Sequence, residues 1–248
     1  MLSKAKIKFI KSLQIKKYRK EEQCFIVEGA KSVRELLTSD FEIASVIGTA
    51  QFLSNTRFND GIEVIEVSER ELAGLGDVQS NDAAIAVAKI KSNIIPEVSS
   101  KKFALVLDDI RDPGNLGTII RTADWFGITS VIASEETADF YNPKVIRATM
   151  GSFTRVRLGY TNLVEYLHKN TLPVFGAYLN GQDIRTMDFG SGGLLVVGNE
   201  SNGIHTSLEQ FVRHKVTIPK FGGAESLNAG IATAILCFSV RQNISFNK

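Results

Sequence analysis

An asparagine and an arginine six residues apart open the chemistry of this chain. In residues 107–127, LDDIRDPGNLGTIIRTADWFG, an apolar strand over 103–108 ends in the turn Asp112-Pro113-Gly114 and a helix begins. Asn115 stands at the helix mouth, where its side chain is expected to act as N-cap for an orphan backbone amide. Arg121 lies about 120° around the helix axis from Asn115 after nearly two turns. The two do not share a stripe, yet both can reach a ligand lying across the first turns. Free amides and the helix dipole at that end favour an anion such as a phosphate. The plain alternative is a good turn and cap followed by a solvated arginine.

Two later segments repeat the pattern of an apolar run ending in polar residues. Residues 193–204, GLLVVGNESNGI, read as a strand that closes in a glycine-bearing turn, with Glu200 between Gly198 and Gly203. Residues 215–238, KVTIPKFGGAESLNAGIATAILCF, read as a short strand, a glycine loop and a long apolar helix. Ser226 is the expected N-cap of that helix and Asn228 an early-turn residue. Ile231, Ile235, Leu236 and Phe238 recur at helical spacing, as a core face or a subunit seam would.

Taken together, the three segments resemble the SpoU/TrmH family of RNA ribose 2'-O-methyltransferases, members of the knotted SPOUT superfamily. The first family motif, DPGNxGxxxR, is matched by Asn115 and Arg121, and the second, Gly-x-Glu-x-x-Gly, by Gly198, Glu200 and Gly203. The third is matched by Ile218, Pro219, Gly222, Ser226, Leu227 and Asn228. The match spans about residues 103–244. Two departures stand out: Ala229-Gly230 where many relatives have Val-Ser, and Pro219-Lys220 where many have Pro-Met. Neither removes a residue that the family uses for chemistry.

The resemblance implies S-adenosylmethionine as methyl donor, held bent in a trefoil knot by backbone around Leu179, Gly198, Ile218 and Leu227. Such a pocket needs main-chain donors and acceptors for the adenine edge, apolar contact for the ring, and glycine where backbone approaches closely. It also implies Asn115, Arg121, Glu200, Ser226 and Asn228 as the catalytic set, and a homodimer whose sites draw on both subunits. The family casts Arg121 as activator of the ribose hydroxyl, but a guanidinium is a poor base. A clamp on the RNA phosphate suits it better, with the hydroxyl proton passing to that phosphate or to a depressed arginine. Asn115 is expected to orient Arg121 or the ribose, and Glu200 to fix Arg121 or a neighbouring loop.

These residues need elements to hold them. Strands are expected near 103–108, 130–133, 153–158, 174–178, 193–198 and 215–218, alternating with helices, as in a parallel sheet covered by helices. An ordinary nucleotide-binding fold is disfavoured, because no Gly-x-Gly-x-x-Gly or Walker lysine follows the first strand. Earlier in the chain, helices are expected over 4–20, 31–39, 51–55 and 68–75, with strands over 43–47, 62–67 and 83–90. That unit resembles the small substrate-binding domain preceding many SpoU domains, down to the phrase FIVEGAKSVRELL at 25–37. The expected fold is α/β: a small RNA-binding domain over 1–92, a linker over 93–102, and a knotted parallel-sheet methyltransferase domain over 103–248.

Composition narrows the setting. With 44% hydrophobic and 23% charged residues, the 248-residue chain can bury two cores. Its formal net charge is only +2, yet residues 1–20 hold Lys4, Lys6, Lys8, Lys11, Lys16, Lys17, Arg19 and Lys20 with no acidic residue. A charge run is usually a solvated helix face. Beside RNA chemistry, Lys4, Lys8, Lys11, Lys16, Lys17 and Arg19 are instead expected to neutralise phosphates without reading sequence.

No secretory signal or membrane span is read from the sequence, and a cytoplasmic location is expected. Cys24 and Cys237 stand far apart, and His168, His205 and His214 lack ligand spacing, so neither a disulfide nor a metal is expected. The substrate is expected to be structured RNA, ribosomal rather than transfer RNA. The competing readings are an RNA-binding protein of the same fold without catalysis, and a transferase that methylates a base.

Overall fold

The computed structural model describes residues 2–76 and 83–246, with side chains as far as Gln242. The chain forms two compact units, residues 1–92 with 139–154, and residues 93–138 with 155–248.

The first unit begins with α1 (Lys4–Ser12), where Ser3 caps the Lys6 amide at 3.2 Å. The single helix expected over 4–20 is two, because the chain turns before α2 (Lys16–Glu22). Arg19 explains the break. Its Nη1 donates to the carbonyls of Leu13 and Gln14, 2.9 Å each, and its Nη2 to Asp139 Oδ2 at 2.6 Å. A continuous helix would have used those carbonyls for amides four residues on.

Then follow β1 (Cys24–Glu28), α3 (Ala30–Leu37), β2 (Ile43–Gly48), α4 (Ala50–Ser54), β3 (Glu63–Glu66), α5 (Glu69–Ala73) and β4 (Ala84–Lys89). The sheet order is β1-β4-β2-β3; β4 runs antiparallel to both neighbours and β2 parallel to β3. Ile10, Leu13, Ile26, Ile47, Leu72 and Ile85 fill one core. On the other side of β1, Phe25 is fully buried against Phe41, Tyr141 and Phe153, at ring distances of 5.5, 4.7 and 6.1 Å. That apolar contact explains why 139–154 packs with the first unit.

The second unit contains β5 (Phe103–Leu107), α6 (Pro113–Trp125) and β6 (Ser130–Ala133). After α7 (Pro143–Ala148), which lies in the first unit, come β7 (Arg157–Tyr160), α8 (Leu163–Lys169), β8 (Val174–Asp183) and β9 (Gly193–Val197). The chain ends with α9 (Thr206–Glu209), β10 (His214–Thr217) and α10 (Ala229–Phe246). Over the described residues the sheet is six-stranded, in the order β10-β8-β9-β5-β6-β7, with every pair parallel.

The strand expected near 153–158 starts later, at Arg157, because Phe153 is packed against Phe25 and Phe41. Strands β5 and β9 are buried at every residue, as a parallel sheet covered on both faces requires. Ala104, Val106, Leu194 and Val196 pack with Leu163, Leu167 and Leu208. Helix α10 packs along α6 and is pinned where Arg241 donates to the carbonyls of Phe126 and Gly127.

One irregularity marks the β8–β10 pairing. Lys215 faces Gly176, but the next residue, Val216, faces Gln182, so residues 177–181 leave the ladder. A Cβ on Gly181 would sit 2.6 Å from the Lys215 carbonyl oxygen, an approach only glycine permits.

Candidate active site

Polar residues converge in the second unit from three places: the loops after β5 and β9, and the amino end of α10. The first loop enters α6 through Asp112, whose Oδ1 accepts from the Asn115 amide at 2.7 Å, while Pro113 occupies the first helical position. Asn115 is therefore not the N-cap that the sequence suggested. The fixed φ of proline sets the helix start three residues earlier, which frees the Asn115 side chain to turn towards other loops.

Asn115 Nδ2 donates to Glu200 Oε1, and Asn115 Oδ1 accepts from Asn228 Nδ2 at 2.8 Å. Asn228 Oδ1 in turn accepts from the amides of Gly230 at 2.9 Å and Ile231 at 3.3 Å. Asn228, and not Ser226, thus caps α10. The direction of this chain follows from its ends. An ionised carboxylate only accepts and helix amides only donate, so both asparagine side chains must present nitrogen towards Glu200 and oxygen towards α10.

The turn carrying Glu200 is built around its neighbour. Asn199 and Gly203 exchange backbone hydrogen bonds at 3.0 and 2.9 Å, and Asn199 Oδ1 accepts from the amides of Ser201 and Asn202. Asn199 Nδ2 reaches across to the Asp109 carbonyl at 2.9 Å, tying the second loop to the first. A Cβ on Gly198 would lie 2.2 Å from the backbone of Gly203, so the turn closes only on glycine. Asp109 itself holds a left-handed φ of 58°, and its amide donates to Ser134 Oγ at 3.0 Å.

Beneath these loops Asp108 is buried, and its Oδ2 accepts from the His205 amide at 2.6 Å. Burial raises its pKa above the usual carboxylate value, against the opposing effects of the amide bond and of the nearby His205. Asp108 and Asn199 are structural parts of the site that sequence reading passed over, and Asp112, read there as a turn residue, is the helix cap. Asp before Pro was an available signal for the helix start, and Asn within a glycine turn for the Asn199 contacts.

The remaining expected residues are placed as follows. Arg121 is exposed on α6 and makes no hydrogen bond or ion pair among the described residues, so neither Asn115 nor Glu200 fixes it. Glu200 meets Asn115 instead. Ser226 is exposed and outside the chain of hydrogen bonds. Leu179 and Leu227 are exposed apolar side chains, 74% and 44%, and Ile218 is half-buried. Open space surrounds the positions where Gly222 and Gly223 would carry a Cβ.

Exposed apolar side chains beside accessible main chain fit the adenine and ribose of S-adenosylmethionine. Residues 221–228 would supply backbone contacts, and Leu179 and Leu227 apolar ones. The Leu179 carbonyl already accepts from Thr217 Oγ1 at 2.9 Å, which steadies residues 177–181. Gly230 meets the Thr118 methyl at 3.0 Å from its built Cβ position, so the Ala229-Gly230 departure lets α10 approach α6 closely.

In the first unit Lys4, Lys8 and Lys11 are exposed at spacings of four and three on α1, and Lys16 and Lys17 are exposed on α2. Arg19 is a correction. Only 2% exposed and bonded to Asp139, it belongs to the interior of that unit and not to an RNA surface.

Among the described residues no cluster of His, Cys, Asp and Glu could hold a metal ion, and no helix is long and apolar enough to cross a membrane. Burial pushes the Cys237 thiol up to about 12, so it stays protonated. His205 is an N-cap, its ring accepting from the Ser207 amide.

Loops gathered at the carboxyl ends of a parallel sheet are where open α/β domains bind their ligands, and here an amide relay joins those loops. More particularly, the chain belongs to the SpoU rRNA methylase family, whose model matches residues 102–238, and an MRM3-like substrate-binding domain matches residues 4–86. It is 30% identical to the 23S rRNA (guanosine(2553)-2'-O)-methyltransferase RlmP of Bacillus subtilis, over 95% of this chain and 96% of that protein.

Among solved structures, a protein from Porphyromonas gingivalis assigned to the TrmH family of RNA methyltransferases superposes with a TM-score of 0.89 at 38% identity. It covers 98% of this chain and 99% of that one. The S-adenosylmethionine-bound rRNA methyltransferase of Sinorhizobium meliloti superposes at 0.85 with 30% identity, covering 98% and 97%.

Proposed function

We propose that the protein transfers the methyl group of S-adenosylmethionine to a ribose 2'-hydroxyl of structured RNA, ribosomal rather than transfer RNA. The observation that carries this reading is the relay Glu200–Asn115–Asn228, which joins three loops far apart in sequence at the mouths of α6 and α10. The cofactor, when bound, supplies a methyl group on a sulfonium. The protein's own work is alignment and charge. Asn115, Glu200 and Asn228 hold the loops in register, and the Arg121 guanidinium, which has no partner among the described residues, clamps an RNA phosphate beside the target ribose. The hydroxyl proton leaves to that phosphate or to an arginine whose pKa the site depresses.

The ribosomal assignment is supported by the 2'-O-methyltransferase of 23S rRNA that matches nearly the whole chain. The exposed lysines of α1 and α2 act as the phosphate-binding surface of the first unit. A knot is supported by the membership of the SpoU family, whose late loops are knotted in the SPOUT superfamily it resembles. A homodimer is supported by Trp125, Ile231 and Phe238, exposed at 84%, 54% and 50% on α6 and α10. The cytoplasm is the compartment this substrate assigns.

The test is Arg121→Ala. Calorimetry should show cofactor binding kept, and transfer to deproteinised ribosomal RNA should fall by orders of magnitude. Near-normal turnover would remove the assignment, and nuclease digestion revealing a base methyl would redirect the chemistry.

A further inference from the structure

We propose that the elbow between α1 and α2 is a nucleobase-contact site, where Ile15 and the Tyr18 ring pack against an unpaired base of RNA held by the surrounding lysines. The inference rests on the reading of the protein as an RNA enzyme and adds base contact to phosphate contact.

The elbow is imposed by the structure. Arg19, 2% exposed, is bound to the carbonyls of Leu13 and Gln14 and to Asp139, while Leu13 is fully buried beneath it. Drawing a guanidinium inside carries a desolvation cost that a straight basic helix would avoid. What the bend achieves is to turn Ile15 and Tyr18 outward, 55% and 38% exposed.

Local folding preferences do not account for these residues. Ile15 is the N-cap of α2 and makes no side-chain capping bond, at a position where Ser, Thr, Asp or Asn would serve. A break of local rules without a compensating contact is the mark of a site used for something else. Lys11, Lys16, Lys17 and Lys20 are exposed on the same two helices, and Lys17 Nζ lies 5.9 Å from the centroid of the Tyr18 ring and 3.8 Å from Glu21 Oε1. Phosphate contact alone needs no aromatic. An unpaired base offers a π face for a tyrosine and its backbone offers anions for the lysines, the combination that single-strand RNA recognition uses. Two exposed apolar side chains on helices whose exposed lysines, even with Glu21 and Glu22 beside them, outnumber the acids are complementary to a polyanion.

The test compares Tyr18→Ala, Ile15→Ser, Tyr18→Phe and the double variant Lys11→Gln/Lys16→Gln, each binding deproteinised ribosomal RNA over a range of salt. Tyr18→Ala should weaken binding roughly ten-fold at every salt concentration. Ile15→Ser should act in the same direction, and neither should alter the slope of log affinity against log salt. Tyr18→Phe, which keeps the ring, should bind as the parent does. The lysine double variant should flatten the slope.

Cofactor affinity should be unchanged in all four. Parental RNA affinity in Tyr18→Ala, a flattened slope in that variant, failure of Tyr18→Phe to rescue, or a changed solution mass on loss of the ring would each overturn the proposal. A parent protein that binds RNA but transfers no methyl would instead sink the enzymatic reading, and the Tyr18 comparison would still decide the elbow.

Discussion

Replacing Asn115 with aspartate tests the amide relay by reversing one hydrogen bond without changing shape. In the native chain Asn115 Nδ2 donates to Glu200, and its Oδ1 accepts from Asn228 at 2.8 Å. The introduced carboxylate can still accept from Asn228, but it turns an oxygen towards the Glu200 carboxylate. A hydrogen bond to a charged group contributes about 1.5–3 kcal/mol, and two carboxylates about 4 Å apart repel by up to about 4 kcal/mol at an effective dielectric of 20. Both residues are half-buried, so solvent screens part of the repulsion. A net cost on the order of 3–4 kcal/mol corresponds to a loss of roughly two to three decades in kcat/KM.

The pH dependence separates this from simple disruption. Two carboxylates in contact share a proton as pH falls, and the shared proton restores a donor between residues 115 and 200. The activity of Asn115→Asp relative to the parent should therefore climb from about pH 8 towards about pH 5.5, in an assay of labelled methyl transfer to deproteinised ribosomal RNA. Asn115→Ala should be impaired by a constant factor across the same range. The reasoning fails if Asn115→Asp stays within a few-fold of the parent at neutral pH, or if its relative activity does not change with pH.

Three further outcomes follow from the same geometry. Gly198→Ala places a Cβ 2.2 Å from the Gly203 backbone, so the Glu200 turn must open; calorimetry should show cofactor affinity weakened roughly ten-fold or more, the scale of an overpacked site. Asp108 has a raised folded pKa, so its stabilising contribution is present below its unfolded pKa and is lost as pH rises through the folded value. Asp108→Asn should accordingly melt higher than the parent at about pH 7, with the difference closing at about pH 4, and a lower melting point at neutral pH would show the carboxylate to be favourable there. Arg19→Met leaves Asp139 without its buried partner and should cost about 3 kcal/mol, read as a melting point lower by several degrees. Adding Asp139→Leu should recover much of that loss.

What the sequence made legible were residues whose environment is local. Glu200 in its glycine turn, Asn228 at a helix mouth and Asn115 near another could all be found by type and spacing, and the structure brings these three together. Which residue caps each helix was not legible to the same depth. Asn115 and Ser226 are both good caps by type, but Pro113 and the backbone path into α10 assign the caps to Asp112 and Asn228. Arg19 was hidden in a run of lysines, although a planar guanidinium can bind two carbonyls and a carboxylate at once where an ammonium is a point charge. The placement of 139–154 was beyond local reading altogether. Nothing near Tyr141 or Phe153 announces that Phe25, more than a hundred residues earlier, is the ring they cover.

The same distinction explains how the candidate site divides its labour. The polar groups that tie the loops together are engaged: Asn115 with Glu200 and Asn228, Asn228 with α10, Asn199 with Asp109, and Asp108 with His205. Arg121, the expected catalytic cation, has no partner among the described residues. A guanidinium tied to Glu200 would have to be released before it could meet a phosphate, and the release would subtract from the binding of RNA. By satisfying Glu200 with an asparagine amide, the fold keeps the carboxylate as a loop anchor and, under the proposed function, leaves the cation for the substrate. Removing the anchor should therefore harm cofactor and RNA binding together, whereas removing the cation should harm only the steps that involve RNA.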